Sequence, residues 1–394
     1  MIYLDNAAST QIHQDVLDAM LPYLKEQYGN PSSIHHYGRL AHKAIEKARR
    51  QIALLINADS SEILFTSGGT ESNITALYGI SGKNPHSTII TSSIEHDAIT
   101  EPCKKLEKDG FHVIYLPVDN YGLVDTAVLK NTISNNTISN NTCLVSIMFG
   151  NNEVGTIEPI SEIVRLCNEH NVLFHTDAVQ AVGKISIDVK NLGVDLLSIS
   201  SHKINGPKGV GALYIRKGIV IDPLMLGGGQ EHGLRSGTEN VANIVGFGKA
   251  CEIAKAQLSE NISHMENLRD NLISNVLREI PGVTLNGHPK NRLSNNAHFT
   301  FLGVAGEDLI IKLDEYGIAA STGSACSMHT QKASHVLQAM GFSHEQITGS
   351  LRLTVGLFNN SQEIDETVYI LKIIIDELRL VSPFKEKYRF LSKT

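Results

Sequence analysis

Between residues 60 and 215 the chain repeats one pattern: a short run apolar on both faces, a polar turn, and in many repeats a helical stretch. The runs are Ile63–Thr66, Thr88–Thr91, Val113–Leu116, Leu144–Met148, Leu173–Thr176, Leu196–Ile199 and Ala212–Ile215, with helical periodicity at Thr70–Ile80 and Ile160–His170. A strand that is apolar on both faces must be covered on both faces. That condition is met in a buried, mostly parallel sheet flanked by helices, so the pattern predicts an α/β fold. The remainder reads differently. Helical patterns near Val241–Leu258 and His264–Glu279 lead to strand candidates His298–Phe301 and Leu351–Val355 and a closing helix near Glu363–Leu378. The expected organisation is a large domain over residues 15–255 and a smaller α+β domain built from residues 1–14 and 256–394, which suits a chain of 394 residues.

The unusual polar residues follow the strands. Ser67-Gly68-Gly69-Thr70-Glu71 comes after the first run, Ile94-Glu95-His96 after the second, and Gly150-Asn151-Asn152-Glu153 after the fourth. Asp177 and Gln180 follow the fifth, and Ser200-Ser201-His202-Lys203 the sixth. In a parallel α/β sheet, ligands bind at the carboxyl ends of the strands. Each turn also has a plain structural reading. The Ser67–Thr70 turn is a strand-to-helix connection, yet its glycines and free helix N-terminus suit a phosphate. Asp177 serves equally as a helix cap or as a partner for a ring nitrogen, and His96 alone reads as a structural histidine. Lys203 is a Schiff-base lysine or a phosphate-pairing one. Together, a phosphate cradle, a lysine and a carboxylate suit pyridoxal 5'-phosphate (PLP). No Walker A loop, His-Glu-x-x-His or cysteine pair competes, and no metal site is expected.

The formal net charge of −7 gives no attraction to nucleic acid. The one dense basic run, Lys47-Ala48-Arg49-Arg50, lies in a helical pattern and reads as a solvated face. The N-terminus has no basic, apolar leader and no run approaches membrane-spanning length, so a cytoplasmic protein without membrane contact is expected. The tandem Asn-Thr-Ile-Ser-Asn repeat at Asn131–Asn140 is polar and turn-prone, a surface loop or frayed helix.

Five cysteines, an odd number without a C-x-x-C, argue against a disulfide framework. Cys103, Cys143, Cys167 and Cys251 sit in strand or helix patterns and read as small core residues. Cys326 differs. It lies in Ser321-Thr322-Gly323-Ser324-Ala325-Cys326-Ser327-Met328-His329, a small, polar stretch where a cysteine has no core to fill. An exposed thiol there can ionise and attack a sulfur.

A further set of segments appears in order across nearly the whole chain: Tyr3-Leu4-Asp5-Asn6-Ala7-Ala8, Gly29-Asn30-Pro31-Ser32-Ser33-Ile34-His35, Thr66-Ser67-Gly68-Gly69-Thr70-Glu71-Ser72-Asn73, Glu95-His96, Asn151-Asn152-Glu153-Val154-Gly155, Asp177-Ala178-Val179-Gln180, Ser201-His202-Lys203-Ile204-Asn205-Gly206-Pro207-Lys208-Gly209, Arg235-Ser236-Gly237-Thr238, Gly323-Ser324-Ala325-Cys326 and Leu351-Arg352-Leu353. This ordered set resembles the PLP-dependent cysteine desulfurases of the class-V aminotransferase family, the group with the housekeeping iron–sulfur enzyme and its nitrogen-fixation counterpart. The resemblance implies the fold type I of PLP-dependent transferases. It also implies a homodimer that converts L-cysteine to L-alanine and carries the sulfur as a persulfide on Cys326, for acceptors such as an iron–sulfur scaffold or a tRNA-thiolation enzyme.

By the same resemblance Lys203 carries the cofactor and moves the Cα proton, Asp177 pairs with the ring nitrogen, Gln180 with the ring hydroxyl, and His96 stacks on the ring and assists proton transfer. Gly69, Thr70, Ser200 and His202 bind the phosphate with Thr238 of a second subunit, while Asn152, also a cofactor contact, and Arg352 hold the substrate carboxylate. A guanidinium is a natural clamp for a carboxylate. The rival expectations are a selenocysteine lyase, an ordinary class-V aminotransferase and a non-catalytic scaffold of the same fold.

Overall fold

The computed structural model describes residues 1–83, 86–136, 142–322 and 333–382. The chain opens on a short strand, β1 (Ile2–Tyr3). It continues through β2 (Ile63–Thr66), β3 (Thr88–Ser92), β4 (His112–Leu116), β5 (Thr142–Ser146), β6 (Leu173–Asp177), β7 (Leu196–Ser200) and β8 (Gly211–Ile215). Later come β9 (Val283–Asn286), β10 (Asn296–Phe301), β11 (Ile318–Ala319) and β12 (Ser350–Thr354). Strands β2 to β8 form one sheet of seven in the order β2-β8-β7-β6-β5-β3-β4. Only β8 runs against its neighbours β2 and β7; the other pairings are parallel.

All seven expected runs form this sheet. The run at Leu144–Met148 is assigned two residues earlier, as Thr142–Ser146. Its tail still follows β6, because the N–H groups of Ile147 and Phe149 donate to the His175 and Asp177 carbonyls. Periodicity did not reveal that β8 is antiparallel, since a run buried on both faces looks the same in either direction.

The helix His36–Ile56 shows how helices cover the sheet. Ala41, Ala44, Ile45, Ala48, Ile52, Ala53 and Ile56 recur at helical spacing and are buried, and Asn57 ends the helix in the left-handed region. Its partner is the helix Val241–Ala256, and the two approach closely: a Cβ on Gly248 would fall 2.6 Å from the Cα of Ala48. The basic run on this helix is not the solvated face expected. Lys47 and Arg50 are exposed, but Arg49 is buried, with both terminal nitrogens on the Glu231 carboxylate at 2.6 and 2.8 Å and its guanidinium over the Phe65 ring. A charge so deep is tolerated because it is paired and hydrogen-bonded.

A second core gathers Leu268, Leu272, Phe299, Phe301, Leu351, Leu353, Leu371 and Ile374. Ile2 and Leu4 from the chain start belong to it, with β1 parallel to β11. The strands β9, β10 and β12 form its antiparallel sheet in the order β12-β10-β9. The second long helix starts earlier than expected, at Leu258; Leu258 and Ile262 already stand at helical spacing to Met265, among the polar residues Ser259, Glu260, Asn261 and Ser263. The repeat residues up to Asn136 close the helix Thr126–Asn136; residues 137–141 lie outside the described set. From Asp5 the chain crosses between the two cores. Asn6 Nδ2 donates to the Thr354 carbonyl, and the Thr10 N–H to that of His202. This crossing brings the N-terminal segment to the carboxyl edge of the central sheet.

Candidate active site

At that edge the helix Gly69–Ser81 begins from Gly68 with no side-chain cap. The first N–H groups of a helix have no acceptor within it, so this end presents bare donors and a positive dipole end. Glycine at 69 is a packing requirement: a Cβ there would fall 2.7 Å from Val179 Cγ2, with the Ser200 Cβ 3.6 Å away. Gly69, Thr70 and Ser200 therefore share one corner.

Asp177 is the last residue of β6 and is buried. Its Oδ1 accepts from the Val179 N–H at 2.9 Å and its Oδ2 from Asn73 Nδ2 at 2.6 Å. It is thus both a local turn cap and a carboxylate held by a second element. Lys203 follows β7 in a short turn and is half-buried. Its Nζ donates to the carbonyls of Ala7 at 2.6 Å and Ala8 at 2.8 Å. Gln180 Nε2 donates to the same Ala7 carbonyl at 2.9 Å, while its buried Oε1 has no partner among the described residues. His202 places Nδ1 3.2 Å from Ser9 Oγ. Burial, then the charges of Lys203, Lys208 and Lys184, push His202 down to about 4, so it is neutral at pH 7.

His96 caps the helix Asp97–Lys108, its Nδ1 accepting from the Ala98 N–H at 3.0 Å. In the neutral ring that bond assigns the proton to Nε2. Asn152 is half-buried in the turn after β5, and its carbonyl accepts from Arg352 Nη1 at 2.9 Å. Arg352, on β12, is 2% exposed and its Nη2 lies 2.8 Å from Asp5 Oδ1. Arg352 also exchanges backbone hydrogen bonds with Ser321, five residues before Cys326. Cys326 itself lies outside the described residues. Thr238 is exposed on the connection to the helix Val241–Ala256 and makes no side-chain hydrogen bond among the described residues.

Lys203, Asp177, Gln180, His202, Ser200, Gly69 and Thr70 therefore meet at one edge, with His96 and Asn152 on its other turns and Arg352 reaching the Asn152 carbonyl from β12. Sequence reasoning passed over Asn73 and Asp5, although both stand inside the quoted segments. Their contacts, to Asp177 and Arg352, join residues 104 and 347 positions apart and leave no local signal. Among the other cysteines, Cys103, Cys167 and Cys251 are buried and Cys143 half-buried. Burial pushes the Cys103 and Cys167 thiols up to about 12, which makes them inert at neutral pH.

The model for aminotransferase class-V proteins matches residues 2–367. The chain belongs to the class-V aminotransferase family. Among its relatives, "Cysteine desulfurase IscS" of Dictyoglomus turgidum is 50% identical over 397 residues, covering 100% of this chain and 99% of that protein. The protein of the same name from Methanosarcina thermophila is 50% identical over 393 residues, 99% of this chain and 96% of that one. A solved structure titled "NIFS-LIKE PROTEIN" superposes with a TM-score of 0.88 at 41% identity, covering 96% of this chain and 99% of that one. Class-V aminotransferases of this kind are PLP-dependent, and the fold is the PLP-dependent type I. The edge fits that cofactor on its own chemistry. An uncapped helix end suits a phosphate, a buried carboxylate suits a ring nitrogen, a lysine amine suits an aldehyde, and the buried Gln180 Oε1 awaits a partner. Among the described residues no cluster of His, Cys, Asp and Glu is built to hold a metal ion.

Proposed function

We propose that the protein is a PLP-dependent cysteine desulfurase that converts L-cysteine to L-alanine and carries the released sulfur as a persulfide on Cys326. The observation that carries this reading is the convergence of Lys203 and Gln180 on the Ala7 carbonyl beside Asp177 and the uncapped helix end. Full-length relatives named for that activity support it. Gly69, Thr70, Ser200 and His202 would hold the cofactor phosphate, Asp177 the ring nitrogen and Gln180 the ring hydroxyl, with His96 against the ring. When bound, PLP supplies an electron sink for charge developing at the substrate Cα.

The remaining work falls to the chain itself. Lys203, as the neutral amine, takes the Cα proton and returns it. His96, with its proton on Nε2, assists at the neighbouring face. Arg352 and Asn152 hold the substrate carboxylate. Asp5, already paired with Arg352, keeps that guanidinium aimed. The Cys326 thiolate then attacks the substrate sulfur. A carbon–sulfur bond breaks and a sulfur–sulfur bond forms, giving a persulfide on Cys326 and, after proton return to the substrate carbon, L-alanine. Atoms balance without an external oxidant; the thiol used in reductive release enters only afterwards.

The same reading includes two domains, residues 15–255 and residues 1–14 with 256–394, and a homodimer in which Thr238 of one subunit completes the phosphate site of the other. Thr238 is exposed on a connection that also exposes Leu224, Met225 and Leu226, the last 84% exposed. A surface so apolar suits a subunit contact. No helix of the described residues is long and apolar enough to cross a membrane. We place the enzyme in the cytoplasm, donating sulfur to an iron–sulfur scaffold or a tRNA-thiolation enzyme.

The deciding measurement is production of alanine and sulfide from L-cysteine with a thiol reductant, native protein against Cys326→Ser. Native protein makes both and the variant neither. Equal activity in both would remove Cys326 as the sulfur carrier. A PLP-loaded native protein inactive on cysteine would shift the substrate to selenocysteine or the reaction to transamination.

A further inference from the structure

Asn73 lies one turn into the helix Gly69–Ser81 and is 1% exposed. Residues 69 and 73 are four apart, so they share a face of that helix. Both meet the turn that follows β6. A Cβ on Gly69 would fall 2.7 Å from Val179 Cγ2, and Asn73 Nδ2 donates to Asp177 Oδ2 at 2.6 Å. The helix start is itself pinned to β2, with Thr66 Oγ1 and Ser72 Oγ 2.8 Å apart and Ser72 Oγ donating to the Gly68 carbonyl at 3.2 Å. One helix thus carries the bare N–H groups at its start and, one turn later, a grip on the buried carboxylate. The grip is two-sided, because the Val179 N–H donates to Asp177 Oδ1 at 2.9 Å while Asn73 donates to Oδ2. Turning the carboxylate about its Cβ–Cγ bond would break one of these bonds or both. Each oxygen keeps a second lone pair, so the group can still accept from a ring N–H. The other end of the Asn73 amide, Oδ1, is buried without a partner among the described residues. Such an atom costs stability, and an apolar side chain of the same size would avoid the cost. Packing therefore does not account for an asparagine at this position; its bond to Asp177 does.

We propose that Asn73 is a positioning residue for Asp177, fixing the carboxylate that takes the PLP ring nitrogen to the helix that takes the phosphate. The two ends of the cofactor then meet one rigid frame, and the carboxylate need not be ordered when the cofactor binds. Groups ordered beforehand bind more tightly, because less freedom is lost on association. The inference rests on Asp177 as the ring-nitrogen partner in the reading above, and its test does not need turnover.

The test uses full-length, cofactor-free protein, native and Asn73→Leu. Each is titrated with PLP and with the deaza analogue, in which a C–H replaces the ring nitrogen. The two cofactors share the phosphate, the aldehyde and the ring hydroxyl, so the ratio of their dissociation constants isolates the ring-nitrogen contact. Native protein binds PLP the more tightly. In Asn73→Leu that preference falls by about tenfold, roughly the worth of one hydrogen bond to a charged group. A merely structural role would weaken both cofactors alike and leave the ratio unchanged. A ratio at or above the native one, in a variant that melts cooperatively, overturns the proposal. Should Asn73→Leu fail to fold, Asn73→Ala removes the same donor without adding bulk, and the same ratio decides. A native protein that binds both cofactors equally removes Asp177 as the ring partner and the proposal with it. Absent alanine production, with the ratios behaving as stated, takes away the desulfurase reading alone.

Discussion

Glu95 is a fully buried acid beside His96. Its Oε1 accepts from Ser92 Oγ at 2.6 Å and the Met148 N–H at 2.9 Å, while Oε2 has no partner among the described residues. Burial outweighs those bonds, and the charges of Asp177 and Glu158 add to it, so the carboxyl is pushed up to about 8. Glu158, with one oxygen on the Val124 N–H, is likewise pushed up to about 8, chiefly by burial. The folded chain thus keeps protons that the unfolded chain releases near pH 4.5. The resulting stability is complete below that pH and is lost as pH rises through about 8. Each acid makes unfolding free energy fall with rising pH by up to about 1.4 kcal/mol per pH unit in that window. In Glu95→Gln the fall is shallower by about that amount; urea unfolding at several pH values between 5 and 8 measures it. The segment Glu95-His96 was legible in the sequence as a turn worth noting. That its acid is neutral was not, because desolvation depends on what surrounds it.

At the scale of elements, the bond between Arg49 and Glu231 ties the helix His36–Ile56 to β2 and to the segment before the helix Val241–Ala256. Glu231 Oε2 also accepts from the Phe65 N–H, and Arg49 Nη1 donates to the Ile63 carbonyl. Removing one partner leaves a buried charge unpaired. Glu231→Gln is therefore expected to cost about 3–5 kcal/mol of stability, read by chemical denaturation, and Arg49→Met with Glu231→Leu together much less than twice that. The element boundaries of the sheet were legible because apolar runs and polar turns alternate. The burial of Arg49 was not, since its partner lies 182 residues away and the local run looks like any charged helix face.

For the whole molecule, the exposed Leu224–Leu226 connection and exposed Thr238 carry the subunit prediction. Sedimentation equilibrium is expected to give a species of twice the 43.0 kDa chain mass. Thr238→Ala is expected to weaken PLP affinity by about tenfold, the loss of roughly one hydrogen bond to a charged group; a monomer that binds PLP at native strength would refute both. The sequence alone determined the α/β class, the edge at which polar residues collect, and Lys203, Asp177 and Cys326 as the residues to watch. Those follow from local rules, since strand period, turn chemistry and motif spacing act over a few residues. The tertiary structure decided what lies between distant segments: Ala7 and Ala8 carbonyls on Lys203, Asp5 on Arg352, Asn73 on Asp177, and Lys184 beside Lys203 on one cavity wall. Each joins parts of the chain that only the packing of the two cores brings together, and no periodicity along the chain encodes that packing.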